Sequence, residues 1–287
     1  AQGEVMAQIT DLYIYPVKSL KGIALKEAQT AKRGLEFDRE WMVTDHQYNF
    51  ISQREIELMT TIQTGIDSHS LILTSSNQKV LKIPLDSSRS NKVRAMVWDD
   101  FCDAFDEGDD ASRWLTDVLG TYNGSELRLV RFDQEGERPV PKKYLHGDHA
   151  ESAFSDQFPY LITSWESLNK LNNGLLESNS PKVSMNRFRP NLVVKGLANV
   201  EMMTSSNLVC EKSGYQFGLR KPCKRCKITT IDQETGEIQN PKEPLATLTK
   251  LKFSEEAYGA FFGQNAILLG SHSILRVGDL LEIVQSA

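Results

Sequence analysis

Hydrophobic and β-branched residues come in short runs along this chain, each stopped by a proline or a polar break. That spacing is typical of strands, and long helices are not indicated. Residues 8–15 are β-branched and aromatic and end at Pro16. Residues 41–45 and 49–53 flank His46-Gln47-Tyr48, and residues 70–74 and 79–83 flank Ser75-Ser76-Asn77-Gln78; each pair predicts a hairpin. Further strands are predicted at 92–98, 126–132, 159–163, 191–195, 210–212, 227–232, 266–269 and 280–284. Helical spacing is confined to a few places. Residues 109–119 open on acidic side chains and space Trp114, Leu115, Val118 and Leu119 for one face. A second helix opens near Ser164, and 243–251 predicts a short third. Residues 133–158 are polar and hold Gly136, Pro139, Pro141 and Gly147, the composition of a long loop or a domain connection. The pattern predicts a mainly β, barrel-like protein with a few short helices.

Composition narrows this picture. Hydrophobic residues at 40% and charged residues at 25% are ordinary for a globular chain, and 287 residues give room for one large domain or two modest ones. A net charge of -5 argues against general affinity for nucleic acid, so local cationic clusters read as small-anion sites. No run approaches the ~20 apolar residues of a membrane-spanning helix. Four cysteines in a chain of this length do not make a disulfide scaffold, which fits a reducing cytoplasm.

The densest chemistry lies in Lys221-Pro222-Cys223-Lys224-Arg225-Cys226-Lys227. Cationic neighbours favour a thiolate, the form of cysteine that binds metal or attacks as a nucleophile, and the same cations suit an anionic ligand. Cys223-x-x-Cys226 leaves three readings open: half of a zinc site, a thioredoxin-like redox pair, or one working cysteine, Cys226, with Cys223 as its neighbour. Zinc needs two more ligands, and no histidine lies nearby in sequence. The redox pair needs a helix after the motif, whereas the following KITTID alternates like a strand. A second cluster is Arg187-Phe188-Arg189-Pro190-Asn191. Its forked donors suit phosphate, and the amide of Asn191 suits a heterocycle edge. Lys18-Ser19 after Tyr15-Pro16 repeats that theme. Arg39 taken alone reads as a surface ion pair, and His146 and His149 as solvated loop residues.

Taken together, YPVKSLKG at 15–22, FDREWMVTD at 37–45, FRPNLVV at 188–194 and RCKITTIDQETGE…EPLATL at 225–248 resemble the MOSC superfamily. The branch is that of the mitochondrial amidoxime-reducing component and its bacterial relatives. FGQNAIL at 262–268 and VGD at 277–279 extend the resemblance to nearly the whole chain. It implies a MOSC N-terminal β-barrel domain at 1–132 and a MOSC β-barrel domain at 133–287, with residues 1–40 able to pack with the second. It also implies a molybdenum cofactor (molybdenum-molybdopterin), with Cys226 as the protein ligand to the metal and the catalytic residue. Lys18, Ser19, Arg39, Ser164, Arg189, Asn191, Cys223, Lys224 and Arg225 fall on cofactor-binding positions by the same resemblance.

The implied activity is two-electron reduction of a small N-hydroxylated substrate, an amidoxime or N-hydroxylamine. Some relatives carry a C-terminal ferredoxin domain, whose cluster needs four cysteines at set spacing. This chain has no such set. Electrons are therefore expected from an external ferredoxin-, flavodoxin- or cytochrome-type donor with its reductase. Asp156 or solvent is the candidate proton source. The alternative is a non-catalytic cofactor-binding or sulfur-carrier module that uses Cys226.

Overall fold

The computed structural model describes residues 6–255 and 258–285. The first strands are β1 (Met6–Ile14), β2 (Ile23–Leu25), β3 (Glu27–Ala31), β4 (Gly34–Leu35) and β5 (Trp41–Thr44). Then come β6 (Gln63–Ile66), β7 (Ser70–Thr74), β8 (Val80–Pro84), β9 (Lys92–Val97), β10 (Asp100–Asp106), helix α1 (Asp109–Leu119) and β11 (Arg128–Phe132). After the long connection follow β12 (Tyr160–Ser164), helix α2 (Trp165–Glu177), β13 (Leu192–Lys195), β14 (Ser206–Val209) and β15 (Gln216–Lys224). Helix α3 (Leu245–Leu251), β16 (Phe261–Leu269), β17 (Ile274–Arg276) and β18 (Leu280–Gln285) complete the set.

The expected β architecture is present. Strands run β13-β12-β16-β15-β14-β18-β1, and β1 pairs back onto β13, so seven strands close into a barrel with β2 flanking β1. Closure removes the exposed strand edges that would otherwise template aggregation. Ile9, Leu12, Tyr160, Phe217, Leu219 and Leu281 fill the barrel. The β12–β13 pair is parallel, and α2 supplies the crossover that a parallel pair requires.

A second core is built by β5, β6, β7 and β11 with α1, around Trp41, Met59, Leu71, Leu115 and Leu129. Here β5-β11-β10-β9 form one sheet and β6-β7-β8 another. The two cores meet at Phe37, which packs against both. No helix among the described residues is long and apolar enough to cross a membrane.

Several local expectations need correction. Residues 227–230 form a 3-10 turn where a strand was expected, because Thr229 Oγ donates to Cys226 O at 2.9 Å and Thr230 Oγ to Lys227 O at 2.6 Å. Such local bonds compete with a sheet ladder despite the β-branched composition. The strand expected at 210–212 lies earlier, at β14, and Cys210 opens the turn that Gly214 closes by donating to its carbonyl. The second arm of the first hairpin reduces to a single bridge between Thr44 and Phe50. Strands β2, β3, β4, β6, β10, β15 and β17 were not expected. Of these β15 matters for function: its pairing with β16 slips between Leu219 and Lys221 and again between Pro222 and Lys224. Bulges bend a strand and tolerate a proline, and these bring the cysteine segment to the barrel mouth.

Candidate active site

Three polar residues that line one cleft take a left-handed backbone: Ser19 at φ 74°, Arg39 at φ 46° and Arg189 at φ 54°. Side chains with a Cβ adopt this region at a cost, and such positions concentrate at functional sites. Each is braced. Arg39 N donates to Tyr15 O at 2.7 Å, and Gln53 Nε2 donates to Ser19 O at 2.7 Å. Arg189 Nη2 donates to Leu20 O at 2.6 Å. The buried ring of Tyr15 serves both arginines, with its centroid 4.3 Å from the Arg39 guanidinium and 4.4 Å from that of Arg189.

Two neighbouring cations resist each other unless something offsets the repulsion. Asp38 does so for Arg39, accepting from Nη1 with both oxygens at 3.0 and 2.9 Å. Burial alone would lower the Arg39 pKa, but Asp38 outweighs it and the net shift is upward. Arg189 has no such carboxylate in contact; burial, and then the charge of Arg39, push it down to about 10.

Lys18 is buried, with Nζ 2.7 Å from Phe154 O and 2.6 Å from Asp156 Oδ1. Burial pulls its ammonium down to about 8, against the pull of Asp156. Desolvation by the surrounding wall raises the Asp156 carboxyl, but Lys18 and the Trp98 indole N–H at 2.9 Å more than offset it. Its pKa falls well below the carboxylate range. At neutral pH Asp156 is therefore an acceptor with no proton to give. Arg138 fixes this wall by donating to the carbonyls of Ala153, Ser155 and Asp156.

These side chains converge on a cleft of about 230 Å³. Lys18, Ser19, Arg39, Arg189, Asn191, Cys223, Lys224, Arg225 and Cys226 all line it. Arg225 Nη1 lies 3.0 Å from Cys223 Sγ, and its Nη2 donates to Phe188 O at 2.8 Å. Asn191 is held by backbone: Oδ1 accepts from Leu161 N at 3.1 Å and Nδ2 donates to Tyr13 O at 3.2 Å. Ser164 does not reach the cleft. It is buried as the N-cap of α2, its Oγ accepting from Ser167 N at 3.2 Å. No group of three or more His, Cys, Asp and Glu side chains suited to a metal ion occurs among the described residues.

Sequence reasoning missed several lining residues, among them Ser52, Gln157, Arg54 and Ser155. Arg54 donates from Nη1 to Cys226 Sγ at 3.5 Å, and Ser155 carries a buried Oγ without a hydrogen-bond partner. Neither belongs to a local motif, because each is carried by a loop far in sequence from the cysteines.

A closed barrel whose mouth gathers a soft sulfur and a ring of cations defines a class of anionic-cofactor or anionic-ligand site. Residues 6–122 match the MOSC N-terminal beta barrel domain and residues 149–282 match the MOSC domain. Mitochondrial amidoxime-reducing component 1 of Xenopus laevis is 30% identical over 286 residues, covering 94% of this chain and 80% of that protein. The Homo sapiens protein of the same name is 29% identical over 283 residues, covering 94% and 81%. Molybdenum cofactor sulfurase of Homo sapiens is 26% identical over 287 residues, covering 94% of this chain and 31% of that protein. The chain belongs to the MOSC family, in the branch that joins a MOSC domain to a MOSC N-terminal beta barrel domain.

Proposed function

We propose that this protein binds a molybdenum cofactor with Cys226 as ligand to the metal, and that it reduces N-hydroxylated compounds such as amidoximes and N-hydroxylamines. The observation that carries the reading is the cleft itself, which sets the sulfurs of Cys223 and Cys226 among donors not used up by the fold. Lys18 spends two of its three N–H donors on Phe154 and Asp156 and keeps one. Ser19 Oγ accepts from Gln53 N at 3.4 Å and still has its own proton to donate. Arg189 bonds Leu20 O and Gln233 Oε1 and retains further N–H groups. The unpartnered Ser155 Oγ is a buried polar group that a ligand would satisfy.

Those residues fit an anionic, heteroatom-rich group held by a thiolate. Lys18, Ser19, Arg39, Arg189, Lys224 and Arg225 would anchor its charge, Asn191 would border it, and Cys223 would line the wall beside Cys226. When bound, the cofactor supplies the two-electron redox chemistry. The chain's own part is orientation and charge: cations favour the anionic ligand, and the Cys226 sulfur offers the soft donor that molybdenum takes. Asp156 keeps Lys18 in place and does not act as the acid. Electrons come from an external ferredoxin-, flavodoxin- or cytochrome-type protein with its reductase, in a reducing cytoplasm that suits four free thiols. We divide the chain near residue 132, with β1 and β2 serving the cofactor-bearing barrel.

The test is elemental analysis of protein from a cofactor-competent host beside Cys226→Ser, followed by benzamidoxime turnover with an artificial donor. Near-stoichiometric molybdenum in the parent, loss or spectral change in the variant, and benzamidine as product are expected. A parent that stays metal-free overturns the reading. The similarity to molybdenum cofactor sulfurase favours a second one, in which Cys226 carries sulfur. That version predicts thiocyanate on cyanide treatment and no turnover of benzamidoxime.

A further inference from the structure

Beside the cationic cleft lies a second, larger cavity of about 440 Å³, and the two share Asp156 and Gln157 as wall. Trp98 stands at their boundary: it lines the second cavity, while Arg54 of the cleft rests 4.5 Å from its ring centroid. The indole is fixed at the β9–β10 turn by a left-handed backbone (φ 52°) and by its N–H bond to Asp156, yet it remains exposed. Pro139 and Pro141 add rigid apolar surface. The charges that line this cavity are sorted by sign. Arg138 is turned into the wall, its side chain 5% exposed, bonding Asp100 Oδ2 at 2.9 Å and the carbonyls of Ala153, Ser155 and Asp156. The carboxylates face water, with the Asp100 and Asp156 side chains 57% and 68% exposed. Asp99 is exposed too, and its side chain makes no hydrogen bond or ion pair among the described residues.

A cavity of this size accommodates a small organic molecule. A fixed aromatic wall beside water-facing carboxylates suits a flat cation, which stacks on the ring and pairs with the acid. The neighbouring cleft, lined with lysine and arginine, repels that same ligand, so the two compartments separate anionic from cationic groups. The proposed reduction makes such a cation. An amidoxime takes up two electrons from the external donor and two protons, and loses its N–OH oxygen as water. The amidine that remains binds a further proton at neutral pH. We propose that this cavity is the subsite for the organic part of the substrate, and that it prefers flat cations of the amidinium and guanidinium class. Asp99 is the counter-ion and Trp98 the stacking wall. The word substrate rests on the molybdenum reading; the cation site does not, since it is built wholly from side chains of this chain.

Calorimetric titration of the full chain tests this, with or without cofactor. Benzamidine is the cationic probe, benzamide its neutral counterpart and benzoate its anionic one. Benzamidine is expected to bind roughly tenfold more tightly than either. Asp99→Asn should weaken it about threefold and Asp99→Lys about tenfold, and at an exposed, unpaired position neither change threatens the fold. Trp98→Leu, which removes the aromatic wall, should weaken it about threefold or more. In cofactor-loaded protein benzamidine should compete with benzamidoxime, and Asp99→Lys should raise the inhibition constant by the same factor as the dissociation constant. Absence of benzamidine binding, or equal binding of benzamide, overturns the cation preference. Benzamidine binding that Asp99→Lys leaves unchanged overturns the location. Binding without competition overturns the assignment to the substrate. A parent with neither molybdenum nor turnover defeats the proposed function, yet the titration still decides the cation site.

Discussion

Lys18 shows how one buried side chain couples charge to pH. Burial lowers its pKa from the ordinary 10.5 to about 8, so between those values the unfolded chain holds a proton that the folded chain has released. Stability therefore rises with pH across that window at this residue, by on the order of 3 kcal/mol at most. Lys18→Met should abolish the rise, which urea unfolding at pH 7.5 and 9.5 would detect as a parent gaining on the variant. An equal change in both proteins would mean that Lys18 does not titrate there. Asp156 acts with the same sign in the acid range: its depressed pKa contributes stability above the unfolded value and loses it as pH falls. That arm is the smaller because the carboxylate reaches solvent. Binding of an anion in the cleft should weaken as pH climbs through 8, since Lys18 then loses its charge.

Tyr15 is the complementary case, an uncharged ring placed between charges. Tyr15→Phe removes only the hydroxyl bond to Pro190 O at 3.0 Å and should cost about 1–2 kcal/mol. Tyr15→Leu also removes the face shared by Arg39 and Arg189 and leaves a void, for about 3–5 kcal/mol. Urea midpoints would separate the two; equal losses would show that the ring does not hold the arginines.

At the scale of elements, the 3-10 turn Lys227–Thr230 carries the most consequence for its size, since Cys226 caps it. Thr229→Val keeps the shape and deletes the bond from Oγ to Cys226 O, so it should cost about 1–2 kcal/mol and disturb alkylation of Cys226. Thr61 makes the same kind of bond to Leu58 O outside the cleft, and Thr61→Val should stay within about 0.5 kcal/mol. Identical losses in a thermal melt would deny the turn any special part. The same turn marks a limit of reading strands from composition. Ile228 to Ile231 have strand propensity, but hydroxyls three residues from a free carbonyl chose the turn. The helix α1 was legible because its acidic start and apolar spacing agree, and β7–β8 because a polar break separates two alternating runs. Strand β15 was hidden by its cations and Pro222, whose placement depends on two register slips with β16. In the site, residues in local clusters could be picked out: Lys18, Arg189, Cys223, Lys224, Arg225 and Cys226 all reach the cleft. Arg54 and Trp98 could not, since both sit in turns and only the tertiary fold brings Arg54 to Cys226 and Trp98 to Arg54. Ser164, singled out by resemblance, is taken up in capping α2.

For the whole molecule, the question is whether two cores behave as one. The barrel core centres on Phe217 and Leu12, the other on Leu129 and Leu71. Between them run polar ties that neither half satisfies alone. Gln53 and Gln233 exchange side-chain amide bonds at 3.1 and 2.9 Å, and Arg189 donates to Leu20 O. Separating the halves would strand these buried donors and acceptors, at about 1–3 kcal/mol for each group left unmet. It would also break up the cleft, because Arg54 and Cys226 belong to opposite halves. One cooperative unfolding transition is therefore expected. Phe217→Ala should cost about 3–5 kcal/mol and Leu129→Ala about 2–5, since both side chains are fully buried. Either variant should move the entire urea curve, followed both by far-UV circular dichroism and by tryptophan fluorescence. The probes differ usefully, because Trp41, Trp98 and Trp114 lie on the N-terminal side and only Trp165 follows β12. If Leu129→Ala shifted fluorescence while a later circular dichroism phase stayed in place, the halves would be separate folding units. The cleft between them would then be a docked interface, and cofactor retention should fall in parallel with the weaker half.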